Sequence, residues 1–306
     1  MVDTNRDLYP SRTLHRVPMF DRLDPVVHGG AGDGPLDREQ LHRYERDGFL
    51  FLPSFFGADA VEHFRGELQR LMSNPALGME DGVITEPGSQ EIRSVFAVHK
   101  RSRVFNHLCR HPFLLTAARQ ILGSDVYVHQ SRINYKPGFE GKGFNWHSDF
   151  ETWHTEDGMP YMRAVSCSII LTPNTEFNGP LMLIPGSHRH FVPCVGETPE
   201  DNYRTSLQKQ DTGVPDRETL TKLVRQAGGI QAPKGEPGSV LFFDCNVLHG
   251  SNANMSPVPR SNVFFVYNSV ANAPRRPYGA SKPRPSFLSE RSDVRPLAEA
   301  GTSEDR

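Results

Sequence analysis

His147-Ser148-Asp149, with His249 and Arg260 far downstream, supply two imidazoles, one carboxylate and a permanent cation. Two histidines and a carboxylate bind one face of a metal and leave its other positions open, as a non-haem Fe(II) oxygenase requires to admit an organic chelator and O2. The triplet alone is weak evidence, because with 13 histidines in the chain an H-x-D spacing arises roughly once by chance. Its surroundings raise its worth. In a strand, residues two apart project to one side, so His147 and Asp149 converge while Ser148 turns away. His249 closes the apolar run 239–248, which suits a buried strand ending at the site, and Arg260 opens the run Asn262 to Tyr267. His147, Asp149 and His249 are therefore the expected catalytic metal ligands. Arg260 is the expected bidentate grip on an acidic co-substrate. His154 and His188 lie near these motifs without a carboxylate at strand spacing and read as structural.

The elements that must position these groups follow from periodicity. From Val126 onward the pattern has period two, and Gly, Pro and Asn turns divide it into strands at 126–136, 143–149, 162–172, 180–184, 239–249 and 261–269. Short strands of this kind predict a mainly β fold with flanking helices, built on an antiparallel barrel or jelly roll. Before it, Asp37 caps a helix through Arg46 that Gly48 ends, Phe49 to Leu52 is strand-like, and helical spacing returns in Asp59 to Met72 and Pro112 to Leu122. Residues 36–125 thus read as a helical support and 126–273 as the barrel, together one domain. The charged insert 197–228, with helical spacing over Arg217 to Gln226, is placed outside the barrel. Residues 1–35 and 274–306 are polar and rich in Gly, Pro, Arg or Ser, and read as arms or disordered tails.

A net charge of -2 over 306 residues offers no electrostatic reason for nucleic acid or an anionic membrane as partner, so a small-molecule substrate is expected. Cys109, Cys167, Cys194 and Cys245 lack CxxC spacing and imply no disulfide framework. With no basic-then-apolar leader and no run of about 18 apolar residues, a cytoplasmic enzyme is expected.

The block Phe144-Asn145-Trp146-His147-Ser148-Asp149-Phe150-Glu151-Thr152-Trp153-His154, continuing through Glu156-Asp157-Gly158 and Pro160 to Arg163, resembles the signature of the ectoine hydroxylases. These form a branch of the phytanoyl-CoA dioxygenase-like Fe(II)/2-oxoglutarate oxygenases. Asn178 to Leu181, Pro185 to His188 and Pro237-Gly238-Ser239 leading to His249-Gly250-Ser251 resemble the wider group. The likeness spans roughly residues 40 to 272. It implies a double-stranded β-helix (cupin-type jelly roll), Fe(II), 2-oxoglutarate and O2 as cofactors, a homodimer, and hydroxylation of ectoine at C5 to 5-hydroxyectoine in compatible-solute biosynthesis, with release of succinate and CO2. It supports Ser251, Asn134 and Phe144 beside Arg260 around 2-oxoglutarate. Ectoine carries a carboxylate and a delocalised amidinium, so its pocket should combine donors with aromatic faces. Gln130 and Arg132 share a strand side with Asn134, and Trp153 and Phe264 are the aromatic candidates, the latter two from the resemblance more than from spacing. Trp146 should oppose His147 and pack in the core. Ala164, Ser166 and Ser168 alternate along the next strand, and their small size would leave room for a ring.

Two readings stay open beside this one: a related 2-oxoglutarate hydroxylase of another amino-acid derivative or acyl substrate, and a cupin-like zinc hydrolase or metal-binding module, since two histidines and a carboxylate also suit zinc. Arg260 disfavours the second, because zinc hydrolysis needs no dicarboxylate anchor.

Overall fold

The computed structural model describes residues 6–300. Within them the strands run, in chain order, β1 Phe20–Asp21, β2 Phe49–Leu52, β3 Val83–Thr85, β4 Ile92–Phe96, β5 Val126–Lys136, β6 Phe144–His147, β7 Ala164–Ile170, β8 Leu181–Leu183, β9 His190–Phe191, β10 Val240–Asp244, β11 His249–Ser251 and β12 Arg260–Ser269. They form a jelly roll. Its larger sheet has the order β2-β10-β7-β12-β5-β4-β3, its smaller one β6-β11-β8, and β1 pairs separately with β9. The neighbouring pairs in both sheets are antiparallel.

Alternation divides the long strands between two environments. Ile133, Val165, Cys167, Ile169, Val263, Phe265 and Tyr267 face outward into the main core, which they share with Phe64, Leu68, Leu71, Phe105, Leu114, Leu115, Ala118 and Ile121 from the flanking helices. The inward side of the same strands carries Leu241, Phe243 and Phe264, packed with Leu183 and Val247. This is the period-two rule of a sheet covered on one face and lining a cavity on the other. The helices obey local signals. Arg38–Asp47 begins at Asp37 with a capping box to Gln40 and ends at Gly48, whose φ of 82° suits a residue without a Cβ. Pro112–Leu122 starts with proline at its first turn, where the missing N–H costs nothing.

The structure departs from the sequence reading in four places. First, the expected strand 143–149 ends at His147, and Asp149 opens a short helix, Asp149–Thr152, that runs into a π-helical turn, Trp153–Asp157. The period-two argument survives only because Ser148 itself stays extended. Second, the apolar run 239–249 is two strands. Asp244 stops the first by accepting from the backbone N–H of Asn246 through its side chain and of Val247 through its carbonyl, so His249 opens β11 in the other sheet rather than closing β10. Third, the support 36–125 also contributes β3 and β4 to the large sheet.

Fourth, the described parts of both ends pack onto the barrel, although their composition reads as arms or disordered tails. Tyr9 is fully buried, its hydroxyl donates to Asp24 at 2.7 Å, and its ring meets Phe150 and Phe191 edge-on. Leu288 is fully buried and its carbonyl accepts from Gln130 at 2.7 Å. A few well-seated side chains anchor segments whose mean composition is polar. Residues 1–5 and 301–306 of the two expected tails lie outside the described residues.

Candidate active site

β6 and β11 pair antiparallel with His147 directly opposite His249, which brings the two rings to a centroid separation of 4.2 Å. Each ring is oriented from behind. Nδ1 of His147 lies 2.8 Å from the carbonyl of Asn145, and Nδ1 of His249 lies 3.0 Å from that of Val247. A carbonyl accepts only, so Nδ1 carries the hydrogen and each Nε2 lone pair points into the cavity. Asp149 reaches the same point from its helix, with Oδ1 at 3.7 Å from Nε2 of His147 and Oδ2 at 3.9 Å from Nε2 of His249. These separations exceed a hydrogen bond and suit donors sharing an ion at about 2 Å from each. Oδ2 of Asp149 is buried with no hydrogen-bond partner, which is costly unless a cation takes that place. The three donor atoms all lie within 4.8 Å of one another, and this donor set fits a single ferrous ion.

The electrostatics agree. Burial, then the neighbouring His249, pushes the pKa of His147 down to about 3, so it is neutral and able to ligate. For Asp149, burial acts upward, but His249, Arg132 and His147 together outweigh it and hold the carboxyl below its usual range.

The cavity beside these groups lies between the two sheets and opens to solvent on one side. Of the residues expected around 2-oxoglutarate, Arg260, Asn134, Ser251 and Phe144 all line it. Arg260 is 2 % exposed, donates to Oδ1 of Asn134 at 2.6 Å, and has its Nε unpartnered. Burial, then nearby Arg93, lowers its pKa to about 10. Lys136, in register with Arg260 across β5 and β12, is held by the backbone carbonyls of Lys142 and Asn252 and is pushed well below its ordinary value, by burial first and then by Arg260. Arg93 alone of these three is paired with an acid among the described residues, Glu86 at 2.9 Å. One end of the cavity thus gathers cations whose charge is under-compensated, a place prepared for an anion.

The opposite part of the cavity is lined by Gln130, Arg132, Trp153 and Phe264. Arg132 donates to Oε1 of Gln130 at 2.5 Å and lies 4.7 Å from the centroid of Phe264, so that ring face is already covered by a guanidinium. Ala164 and Ser166, expected here, do not reach the cavity. Ala164 packs in the cluster that holds Trp153, Met162 and Val266, and Ser166 is buried between Phe243 and Val266 of the neighbouring strands. Short side chains between bulky neighbours on an inner sheet face fill the wall rather than line the space. His154 is buried between Asp7 and the carbonyl of Met159, and His188 contacts the carbonyl of Glu45. Trp146 packs against Ile184, Leu223 and Leu248.

Several lining residues escaped the sequence reading. Lys136 continues the alternation of Gln130, Arg132 and Asn134, and that spacing could have found it. Arg93 sits on the unforeseen β4. Ser206, Leu207 and Gln210 belong to the insert, which closes over the mouth instead of standing outside the barrel. Arg284, from the C-terminal segment, enters the cavity held by both oxygens of Asp157 at 3.0 and 2.5 Å. No local pattern announces these.

A jelly roll holding two histidines, a carboxylate and an anion-seeking arginine around one open cavity defines the mononuclear non-haem Fe(II), 2-oxoglutarate-dependent dioxygenases. Within that class the chain belongs to the phytanoyl-CoA dioxygenase (PhyH) family, whose model matches residues 44–262. It is 58% identical to the ectoine dioxygenase of Halomonas elongata over 290 residues, 94% of this chain and 87% of that one. The ectoine dioxygenase of Bordetella bronchiseptica is 54% identical over 301 residues, covering 97% of each. The crystal structure of EctD from S. alaskensis with 2-oxoglutarate and 5-hydroxyectoine superposes with a TM-score of 0.86 at 47% identity, covering 96% of this chain and 98% of that one.

Proposed function

We propose that this enzyme hydroxylates ectoine at C5, converting ectoine, 2-oxoglutarate and O2 to 5-hydroxyectoine, succinate and CO2. The observation that carries the reading is the pairing of the His147/Asp149/His249 donor set, in which Oδ2 of Asp149 has no hydrogen-bond partner, with a buried Arg260 that lacks an acid partner among the described residues. Identity above one half to ectoine dioxygenases over nearly the whole chain supports the substrate. With iron bound, the chemistry supplied is the oxidative decarboxylation of 2-oxoglutarate coupled to oxygen insertion into a C–H bond.

The chain's own residues do the rest. His147, Asp149 and His249 hold the metal on one face. Arg260, assisted by Asn134 and Ser251 and with Phe144 against the chain of the keto acid, takes the distal carboxylate. Arg132 and Arg284 offer donors to the carboxylate of ectoine, Gln130 offers an amide, and Trp153 bounds the ring. Burial of these groups excludes water from the reacting carbon. A homodimer in the cytoplasm completes the reading; no helix among the described residues is long and apolar enough to cross a membrane, and sedimentation of the purified protein tests the dimer. Anaerobic loading with Fe(II), then incubation with ectoine, 2-oxoglutarate and 18O2, should yield singly labelled 5-hydroxyectoine and labelled succinate in equal amounts. Succinate release that does not respond to ectoine would sink the substrate assignment.

A further inference from the structure

Asp149, Thr152 and Trp153 all belong to one short helical segment, and nothing in its own length explains why it stays in place. Four residues of helix followed by a π-helical turn have little stability of their own. The segment is held at its ends by the bond from the Phe150 N–H to the carbonyl of Cys245 and by Arg284 on Asp157, and the group that grips two of its carboxylates at once is Arg12. Its Nε and Nη2 donate to the two oxygens of Glu151 at 3.0 and 2.9 Å, and its Nη1 donates to Glu156 at 2.6 Å. The paired side chains are 1 to 3 % exposed. Ser11 adds a hydroxyl to Glu151 at 2.7 Å.

The same guanidinium reaches the segment that covers the cavity mouth. Nη1 of Arg12 also donates to Thr198 at 3.1 Å, and Asn202 donates to the Glu156 oxygen that Arg12 binds, at 2.8 Å. Gly213 lies so close that a methyl there would strike Glu151 and Arg12. Between these anchors stand Ser206, Leu207 and Gln210 of the cavity lining. The backbone of Arg12 lies in the left-handed region, φ 55°, an arrangement a non-glycine residue adopts only where its surroundings hold it. Its N–H donates to the carbonyl of Cys194 at 2.8 Å, tying the N-terminal segment to the barrel.

We propose that Arg12 is a positioning residue for the reaction: by clamping Glu151 and Glu156 it sets where Asp149 and Trp153 stand, and it registers the cover 198–213 over them. This deepens the dioxygenase reading above and rests on it. Loss of the fork lets Asp149 drift and the mouth loosen, so part of the turnover oxidises 2-oxoglutarate to succinate and CO2 without hydroxylating ectoine, and the second oxygen atom of O2 leaves as water with two electrons and two protons from an ene-diol reductant such as ascorbate added to the assay.

The test compares the full chain with its Arg12→Lys variant, which keeps the charge and loses the fork. Two quantities are read at a temperature where both are folded: anaerobic Fe(II) affinity, and the ratio of succinate to hydroxylated product. The expectation is about tenfold weaker Fe(II) binding and a ratio at least about twofold above wild type. A folded variant that retains wild-type values of both overturns the proposal, and a lower melting temperature alone counts against it. Should Arg12→Lys fail to fold, Glu156→Gln, which leaves the Glu151 pair in place, decides by the same two readouts. If wild type releases succinate without hydroxylating ectoine, the substrate reading fails while the Fe(II) comparison still decides this one.

Discussion

At the scale of single residues, ligation and anion capture are separable. His249→Ala removes one of three donors from a site in which no fourth His, Cys, Asp or Glu is grouped with them among the described residues, so iron content and turnover should both be lost, with the 2-oxoglutarate site intact; iron analysis beside a turnover assay checks this. Arg260→Ala leaves the donors untouched. It removes a charge-assisted bond of about 1.5–3 kcal/mol, so the KM for 2-oxoglutarate should rise between about tenfold and a hundredfold while iron is retained. Arg260→Lys should recover only part, because an ammonium cannot present the planar fork that donates to Asn134 at 2.6 Å.

At the scale of elements, the helices that carry no chemistry should tolerate what the metal-bearing segment does not. Asp37→Ala deletes the capping box of Arg38–Asp47 and should cost about 1 kcal/mol, read by denaturant titration, with kinetic constants unchanged. Gly158 ends the π-helical turn after Trp153 with φ 80°, and a methyl there would collide with the carbonyls of Arg275 and Arg276. Gly158→Ala should cost at least about 2 kcal/mol and lower kcat as well, because the strain falls on the segment holding Asp149 and Trp153. A variant with wild-type stability would contradict the tight approach.

At the scale of the whole molecule, burial of neutral histidines sets a pH dependence. His129 is pushed down to about 3, by burial first and then by Arg284 and Arg291, and His188 to about 4, chiefly by burial. Both are less than 2 % exposed. Unfolded, they titrate near 6.5, so between that value and about 4 the unfolded chain binds more protons. Stability is therefore complete above about pH 6.5 and is lost as the pH falls, with a slope approaching 3 kcal/mol per pH unit, roughly, for the two together. Denaturant titrations at pH 7 and pH 5 should differ by at least about 2 kcal/mol, and equal stabilities would refute the assignment. The chain ends belong to the same whole: ending the chain after Pro283 removes Arg284 from the cavity and Leu288 from the core, and should raise the KM for ectoine as well as lower the melting temperature.

Residue chemistry and the two periodicities are local properties, and they were enough to mark His147, Asp149, His249 and Arg260, the strand Val126–Lys136 and the helices Pro112–Leu122 and Arg217–Gln226 at their observed bounds. Where one strand stops and another starts was less legible, since Asp244 breaks an apolar run through its own side-chain hydrogen bonds. What only the tertiary structure decided is which distant segments come to the cavity. Arg93, Gln210, Arg284 and the Arg12 clamp owe their places to long-range pairing, and a polar residue's partner across the chain leaves no trace in the spacing around it.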